Sequence, residues 1–308
     1  MYNKNRDERI RSATFAWLAE QVTVHGDVLP RRLLADGYVF EGERVPLLGP
    51  QGIFKPRVLQ DVPLSITTAP AGPYDDSFGL DGLLRYRYRG ADPNHPDNRG
   101  LRFAKEMHLP LVYFHGIVPG KYLATWPVFI VGDSPATLTF SVAVDDAAHM
   151  GVMRDLPEGA GVALENFAEA RRAYITSTVR QRLHQRVFRE RVLEAYHRQC
   201  AFCRLRHEEL LDAAHIVPDT EPEGEPHVKN GLALCKLHHS VFDGNFVGLR
   251  PDYVVQVRED ILREHDGPTL AYAIQALHGK TILLPRHAAL MPDPGLLKVR
   301  FERFLKAG

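Results

Sequence analysis

The chain has 308 residues, 44% hydrophobic and 25% charged, with 38 basic and 38 acidic side chains and a formal net charge of zero. This is the composition of an ordinary folded chain; it excludes fibrous and low-complexity classes and, at this length, suggests two domains. The neutral total also argues against a nucleic-acid binder that is basic throughout.

No apolar run reaches membrane-spanning length, and the first residues, MYNKNRDERIRSATFAWLAEQV, are charged where a signal peptide would be apolar. No membrane partner is therefore expected. Three cysteines cannot form a full set of disulfides. A reducing cytoplasm is the expected location, where clustered cysteines more often serve a metal or catalysis.

In chain order, residues 6–23 predict a helix, because Ile10, Phe15, Leu18 and Val22 recur near helical spacing. Residues 41–82 are rich in Pro and Gly and predict loops and short strands. LLRYRYRG, residues 83–90, alternates as a strand does, with Tyr86 and Tyr88 on one face and Arg85, Arg87 and Arg89 on the other. NRGLRFAKEM, residues 98–107, reads as a helix. HLPLVYFHGIV, WPVFIVGD and ATLTFSVAVDD follow as apolar, turn-bounded strands. Together these elements predict an α+β domain resembling a β-barrel and ending near Ala148.

From about Gly161 the texture changes. Residues 163–199 have helical periodicity and no Pro or Gly, which predicts two successive helices. Two domains are therefore expected, 1–160 and 161–308. Between Arg171 and Arg206 stand ten arginines against two glutamates. Such a stripe fits phosphate contact, and Arg182, Arg186 and Arg189 are its DNA-binding candidates; a solvated helix face is the alternative.

All three cysteines lie just beyond. Cys200 and Cys203 form one knuckle, and Cys235 with His238 repeats the spacing after 31 intervening residues. A Cys3His set is a common closed zinc site, so structural Zn2+ is expected there. A redox CxxC is the rival, and it leaves Cys235 and His238 unexplained.

LLDAAHIVP lies between the knuckles and NGLALCKLHHSVFDGN runs through and beyond the second. With Asp212, His215, Asn230, Cys235, His238, His239 and Asp243, this region resembles the HNH nucleases of the ββα-metal class, in their zinc-stapled form. The resemblance covers about 171–305 and includes the arginine-rich lead-in. It implies metal-assisted hydrolysis of DNA, with His215 as general base, Asn230 holding the intervening loop, and His239 binding the catalytic ion. His239 and Asp243, at i and i+4, share a helix face; Asp212 and Ala214 share a strand face. Relatives often carry a ligand where Ala214 stands, and alanine cannot ligate, so that role passes to Asp212. Asp243 is either a further ligand or an orienting group. Mg2+ or Mn2+ is expected at the catalytic site, with Ni2+ or Co2+ also compatible. His184, His197, His207 and His227 receive no role.

The stretch from YDDSFGLDG to WPVFIVGDSP resembles, in its order of elements, the SRA domain, a PUA-like barrel that flips a modified cytosine out of DNA. A reader of that kind needs stacking aromatics, polar groups for the base edge and basic residues for the backbone. Tyr74, Tyr86, Tyr88, Tyr113, Phe114 and Trp126 are the aromatic candidates. Asp75, Asp76, Asp92, Asn94 and Asp97 are the polar ones, and Arg85, Arg87, Arg89, Arg99 and Arg102 the basic ones. The expectation is a homodimeric, modification-dependent, type IV-like restriction endonuclease acting on double-stranded DNA that contains 5-methyl- or 5-hydroxymethylcytosine. An N-terminal domain that reads unmodified or phosphorothioate DNA is one alternative. A zinc-held DNA-binding protein with a decayed active site is the other, with Ala214 as its best argument.

Overall fold

A computed structural model describes residues 3–69, 79, 83–144, 183–222 and 224–307. They form parts of two compact units, Met1–Leu183 and His184–Gly308. The expected boundary after residue 160 and the first arginines of the lead-in, Arg182 included, lie outside the described residues.

The first unit opens with helix α1, Lys4–His25, whose N-terminus is capped by the Asn3 side chain accepting from the Arg6 amide at 3.1 Å. Ile10 and Leu18 of α1 are fully buried. So is Arg11, which is 2.5 Å from Asp7 and donates to the carbonyls of Pro63 (3.1 Å) and Pro110 (2.8 Å). A buried cation with every neighbour polar is a structural anchor. The N-terminal helix is thereby part of the core.

Short elements follow: β1 (Val28–Pro30), α2 (Arg31–Asp36), β2 (Tyr38–Phe40) and β3 (Glu43–Val45). The main sheet has the order β4-β5-β7-β8-β9-β6 from β4 (Ile53–Phe54), β5 (Ser65–Thr68), β6 (Leu84–Arg87), β7 (Leu111–Val118), β8 (Lys121–Ser134) and β9 (Thr139–Val144), with β1 added beside β8. Only β5 and β7 pair in parallel among these strands. The sheet curls into a half-barrel whose end strands approach each other. The Tyr86 hydroxyl on β6 donates to the Thr67 carbonyl on β5 at 3.2 Å, and a Cβ on Gly52, just before β4, would stand 2.8 Å from that hydroxyl. One face packs Tyr86, Tyr88, Tyr113 and Phe140 with Leu101 of α3 (Pro96–Glu106); the other packs Val112 and Phe114 with α1. Adjacent residues on β7 thus enter different cores, as strand alternation requires.

The second unit is built on a β-hairpin and a helix. Residues 183–195 form the described part of α4. A knuckle at Cys200 leads to β10 (Leu211–His215), which pairs antiparallel with β11 (Gly231–Cys235), and α5 (Lys236–Asp243) follows at once. The register sets His215 opposite Gly231 and Asp212 opposite Leu234. A second hairpin, β12 (Val247–Leu249) with β13 (Val255–Val257), then α6 (Glu259–Arg263) and α7 (Pro294–Lys306), complete the unit. Its core joins Val192 of α4 and Tyr196 just after it to Ala214, Leu232, Leu234, Phe242 and Leu297. Gly248 is required where it stands, because a Cβ there would meet the Phe304 ring at 2.5 Å. Among the described residues no helix is long and apolar enough to cross a membrane.

Candidate active site

The hairpin and α5 bring Cys200, Cys203, Cys235 and His238 together, with one donor atom from each lying within 4.8 Å of all the others. Cys200 Sγ and Cys235 Sγ stand 3.4 and 3.2 Å from His238 Nδ1. Tetrahedral zinc with ordinary bond lengths separates sulfur and nitrogen ligands by about 3.5 Å, so the donor set fits such an ion. The three cysteines are free thiols. Crowding makes them unequal: the Cys200 and Cys235 sulfurs drive the Cys203 thiol up, while those of Cys200 and Cys203 drive Cys235 down. Burial lowers the His238 imidazole, but the Cys200 and Cys235 sulfurs and the Ala273 carbonyl outweigh it and push it up to about 10. A pocket that favours the Cys235 thiolate and draws a proton to His238 is one that a cation can occupy. On its outer side, His238 Nε2 lies 2.8 Å from the Ala273 carbonyl, an arrangement that selects Nδ1 as the ligand atom.

His239 follows His238 on α5 and points elsewhere, since consecutive helical residues are about 100° apart. Its Nδ1 is 3.8 Å from Asp212 Oδ2 and its Nε2 is 3.2 Å from Asp243 Oδ2. The hydrogen bond to Asp243 raises the His239 imidazole above its ordinary value, against the effect of burial. The two carboxylates therefore sit at opposite edges of one ring. Asp212 stands at the Nδ1 edge and Asp243 at the Nε2 edge, so no single nitrogen of His239 faces both carboxylates. Asp212 shares the nitrogen edge nearer β10, and Asp243 holds the other.

His215 ends β10. Its ring stacks on Phe188 of α4, with centroids 4.0 Å apart and planes 14° from parallel. Burial is the main cause of a pKa below the usual imidazole value; Asp219 opposes it and His239 adds to it. Its Nε2 is shielded from solvent and has no hydrogen-bond partner. Asn230, 1% exposed, spans the base of the loop that follows. Its Oδ1 accepts from the Val217 amide at 2.9 Å, and its Nδ2 donates to the carbonyls of Val217 (2.9 Å) and Glu225 (3.2 Å). With both ends of its amide engaged by backbone, Asn230 acts on the loop that follows His215 at the end of β10.

Three residues of this neighbourhood were not singled out in the sequence. Phe188 supplies the stacking surface. Arg300 of α7 lies over the Phe242 ring at 4.7 Å and donates to the carbonyls of Phe242 (2.5 Å) and Asp243 (3.3 Å), closing the C-terminus of α5. Arg303 pairs with Glu221 through both carboxylate oxygens (2.7 and 2.5 Å) and so ties α7 to the loop after His215. None carries a local spacing signal; each is recruited by packing.

Residues 200–249 match the family model HNH_2, described as HNH endonuclease. The chain is a DNA-cleaving hydrolase. No curated protein matches it. Among solved structures, the chain is similar to one titled "Modification dependent TagI restriction endonuclease" at 16% identity, covering 79% of this chain and 82% of that one with a TM-score of 0.29. A second, "Structure of the Type IV phosphorothioation-dependent restriction endonuclease ScoMcrA", is 14% identical, covers 79% of this chain and 51% of its own, and has a TM-score of 0.21.

In the first unit of the endonuclease the expected DNA contacts divide. Tyr86 and Tyr88 share a face, as their alternation predicts, but both are only 6% exposed and lie in the core. The Tyr88 hydroxyl is bonded to Asp133, which also accepts from Arg102 Nε at 2.7 Å, and its ring packs on Phe140 at 4.5 Å. Neither ring presents a free face for a base. Tyr113 and Phe114 are buried too, and Trp126 packs against the α1 side. Arg87 is exposed, whereas Arg89 is bound to Gln51 and Asp97. Asp92 Oδ1 accepts from the Asn94 amide at 2.8 Å, an ordinary turn. Tyr74, Asp75 and Asp76 lie outside the described residues. A polar group that the sequence did not suggest joins Tyr113, His115 Nδ1 (2.8 Å) and Thr68 Oγ1 (3.0 Å from the tyrosine hydroxyl).

Proposed function

We propose that this HNH endonuclease is a homodimeric, modification-dependent restriction enzyme of the reducing cytoplasm, with an N-terminal PUA/SRA-like reader of modified cytosine and a catalytic unit that hydrolyses the phosphodiester. The observation that carries the catalytic part is His215. Its pKa lies below the usual imidazole value, so it is neutral at neutral pH; it is held flat against Phe188, with one shielded nitrogen left unpaired, in the field of His239 and of the carboxylates of Asp219, Asp243 and Asp212. An unpaired buried nitrogen costs free energy unless it serves a purpose.

In this reading His215 takes the proton of the attacking water, which a neutral imidazole does well near pH 7. Asp212 and His239 Nδ1 would hold a Mg2+ or Mn2+ ion, which supplies positive charge for the phosphate and its leaving oxygen when bound. Asp243 orients His239 through Nε2, the usual second partner of a ligating histidine. Asn230 keeps the loop closed so that His215 stays in place. Zinc at Cys200, Cys203, Cys235 and His238 would fix the start of α5. The Asp212 carboxylate, 3.8 Å from His239 Nδ1, supports this reading over a decayed site.

The reader assignment rests on the order of elements and on the curled sheet. The test is digestion of matched DNAs carrying plain cytosine, 5-methylcytosine, 5-hydroxymethylcytosine or phosphorothioate linkages. Cutting confined to a modified cytosine is the expected result. Cutting confined to phosphorothioate DNA, or equal cutting of all four, overturns the cytosine reader and leaves the nuclease. One HNH site cuts one strand, so double-strand breaks require two protomers, and a monomeric mass both free and on DNA refutes the dimer.

A further inference from the structure

The arginine-rich helix α4 leads into the site, and its arginines suggest contacts to DNA. Arg189 is placed otherwise. Its Nη1 lies 2.9 Å from Glu190 Oε1; its Nη2 donates to the carbonyls of Leu211 (2.9 Å) and Glu208 (3.2 Å); its Nε lies 3.5 Å from Asp212 Oδ1. The guanidinium therefore has protein partners on every side. Glu190 is 2% exposed and is also reached by Arg198 Nη2 at 3.2 Å. A buried carboxylate between two arginines is a rigid anchor.

We infer that Arg189 is a positioning residue, which holds the Asp212 carboxylate against His239 and so lets an aspartate replace the ligand missing at Ala214. The inference rests on the proposed role of Asp212 as an ion ligand. Asp212 is nearly half exposed, and an exposed carboxylate ordinarily rotates. Here Oδ1 faces Arg189 and also accepts from the Ala213 amide at 2.9 Å. That leaves Oδ2 turned to His239 Nδ1, 3.8 Å away. The bond from Arg189 to the Leu211 carbonyl holds the first residue of β10 as well, and the one to Glu208 holds the turn before it, so side chain and strand are fixed by one group. Glu190 balances the added charge: the two arginines of the network, Arg189 and Arg198, face three carboxylates, Glu190, Glu208 and Asp212, so the network remains net negative and the carboxylate still attracts a cation. Lysine has one point charge and cannot span four partners in this way.

The experiment measures Mn2+ binding to the full chain by calorimetry, without DNA, for the parent, Arg189→Lys, Arg189→Gln, Asp212→Asn and the Arg189→Lys/Asp212→Asn pair. DNA affinity is measured in parallel without Mn2+, over a range of salt. The inference expects Mn2+ affinity to fall roughly tenfold in both Arg189 variants, the lower end of what loss of an outer partner costs. It expects unchanged DNA affinity and salt slope, and no further loss of Mn2+ affinity from Arg189→Lys once Asp212 is asparagine. A phosphate-contacting Arg189 would instead leave Mn2+ affinity intact and lower the salt slope by about one, which overturns the inference. If Asp212→Asn weakens Mn2+ binding and neither Arg189 variant does, this inference alone fails. If Asp212→Asn changes nothing, the reading of Asp212 fails and takes this one with it. Thermal melts show whether each variant is folded, and Arg189→Lys, which keeps a cation beside Glu190, is the variant expected to fold.

Discussion

Replacing Asn230 by alanine removes three side-chain hydrogen bonds at the neck of one loop, two of them to the same residue, Val217. Each such bond contributes about 1 kcal/mol net, and the buried Val217 amide would be left without a partner, so the local cost is about 3 kcal/mol. That corresponds to roughly two decades in the opening equilibrium. The backbone bond from the Ile216 amide to the Asn230 carbonyl, 2.9 Å, survives the substitution, so the loop should loosen without the unit unfolding. Hydrogen exchange is the suitable assay, because both tryptophans, Trp17 and Trp126, lie in the other unit and are blind to this one. Protection of the Val217 amide should fall by about a hundredfold while peptides from residues 3–69 keep theirs. DNA cleavage should fall by a similar factor, because a displacement of His215 of the order of 1 Å is enough for that. Lost cleavage with unchanged protection would refute the reasoning and place Asn230 in contact with DNA. Unchanged protection and cleavage together would show that the loop does not depend on it.

The Cys3His site should return one zinc per chain by elemental analysis, and Cys200→Ser should abolish it. Hydrogen exchange in residues 269–284 should then quicken, since the Ala273 carbonyl meets His238 and the Leu283 amide donates to the Ala201 carbonyl beside the knuckle at 2.8 Å. His215→Ala should lower single-turnover cleavage by about 10²–10⁴ with Mn2+ affinity unaltered. Burial lowers the His215 pKa, so its basic form persists below the usual imidazole value; cleavage should rise with pH on an acid limb lying under about 6.5 and level off by neutrality. Phe188→Ala exposes the ring and should move that limb to higher pH; a limb that stays put shows that the stack does not set it. Gly231→Ala would drive a Cβ to 2.4 Å from Val192 and 2.9 Å from Phe188, and should destabilise the second unit by about 1–3 kcal/mol in urea unfolding.

Much of the site can be read along the chain because its spacings are local. Cys200 with Cys203, Cys235 with His238, and His239 with Asp243 are each joined by one turn of backbone, and geometry that short is decided by the residues themselves. The alternation in LLRYRYRG likewise separates tyrosines from arginines before any fold is known. It does not say which face is wet. Tyr86 and Tyr88 suggest a stacking platform and turn out to be core, because the far edge of the sheet curls round to meet them. Arg189 and Arg89 suggest phosphate contacts and are engaged within the protein.

The sequence by itself determined the local make-up of the second unit: a donor set spaced as for zinc, and a hairpin–helix motif whose match spans residues 200–249. Tertiary structure alone decided how those groups are held. It put α1 in the core through the buried Asp7–Arg11 pair, set Phe188 against His215, and divided Asp212 from Asp243 across one imidazole. Phe188 and His215 are 27 positions apart, as are Asp212 and His239, and Arg303 and Glu221 are 82 apart. Contacts at long range form only where whole elements pack, and no local period records which side chain will be waiting on the other side.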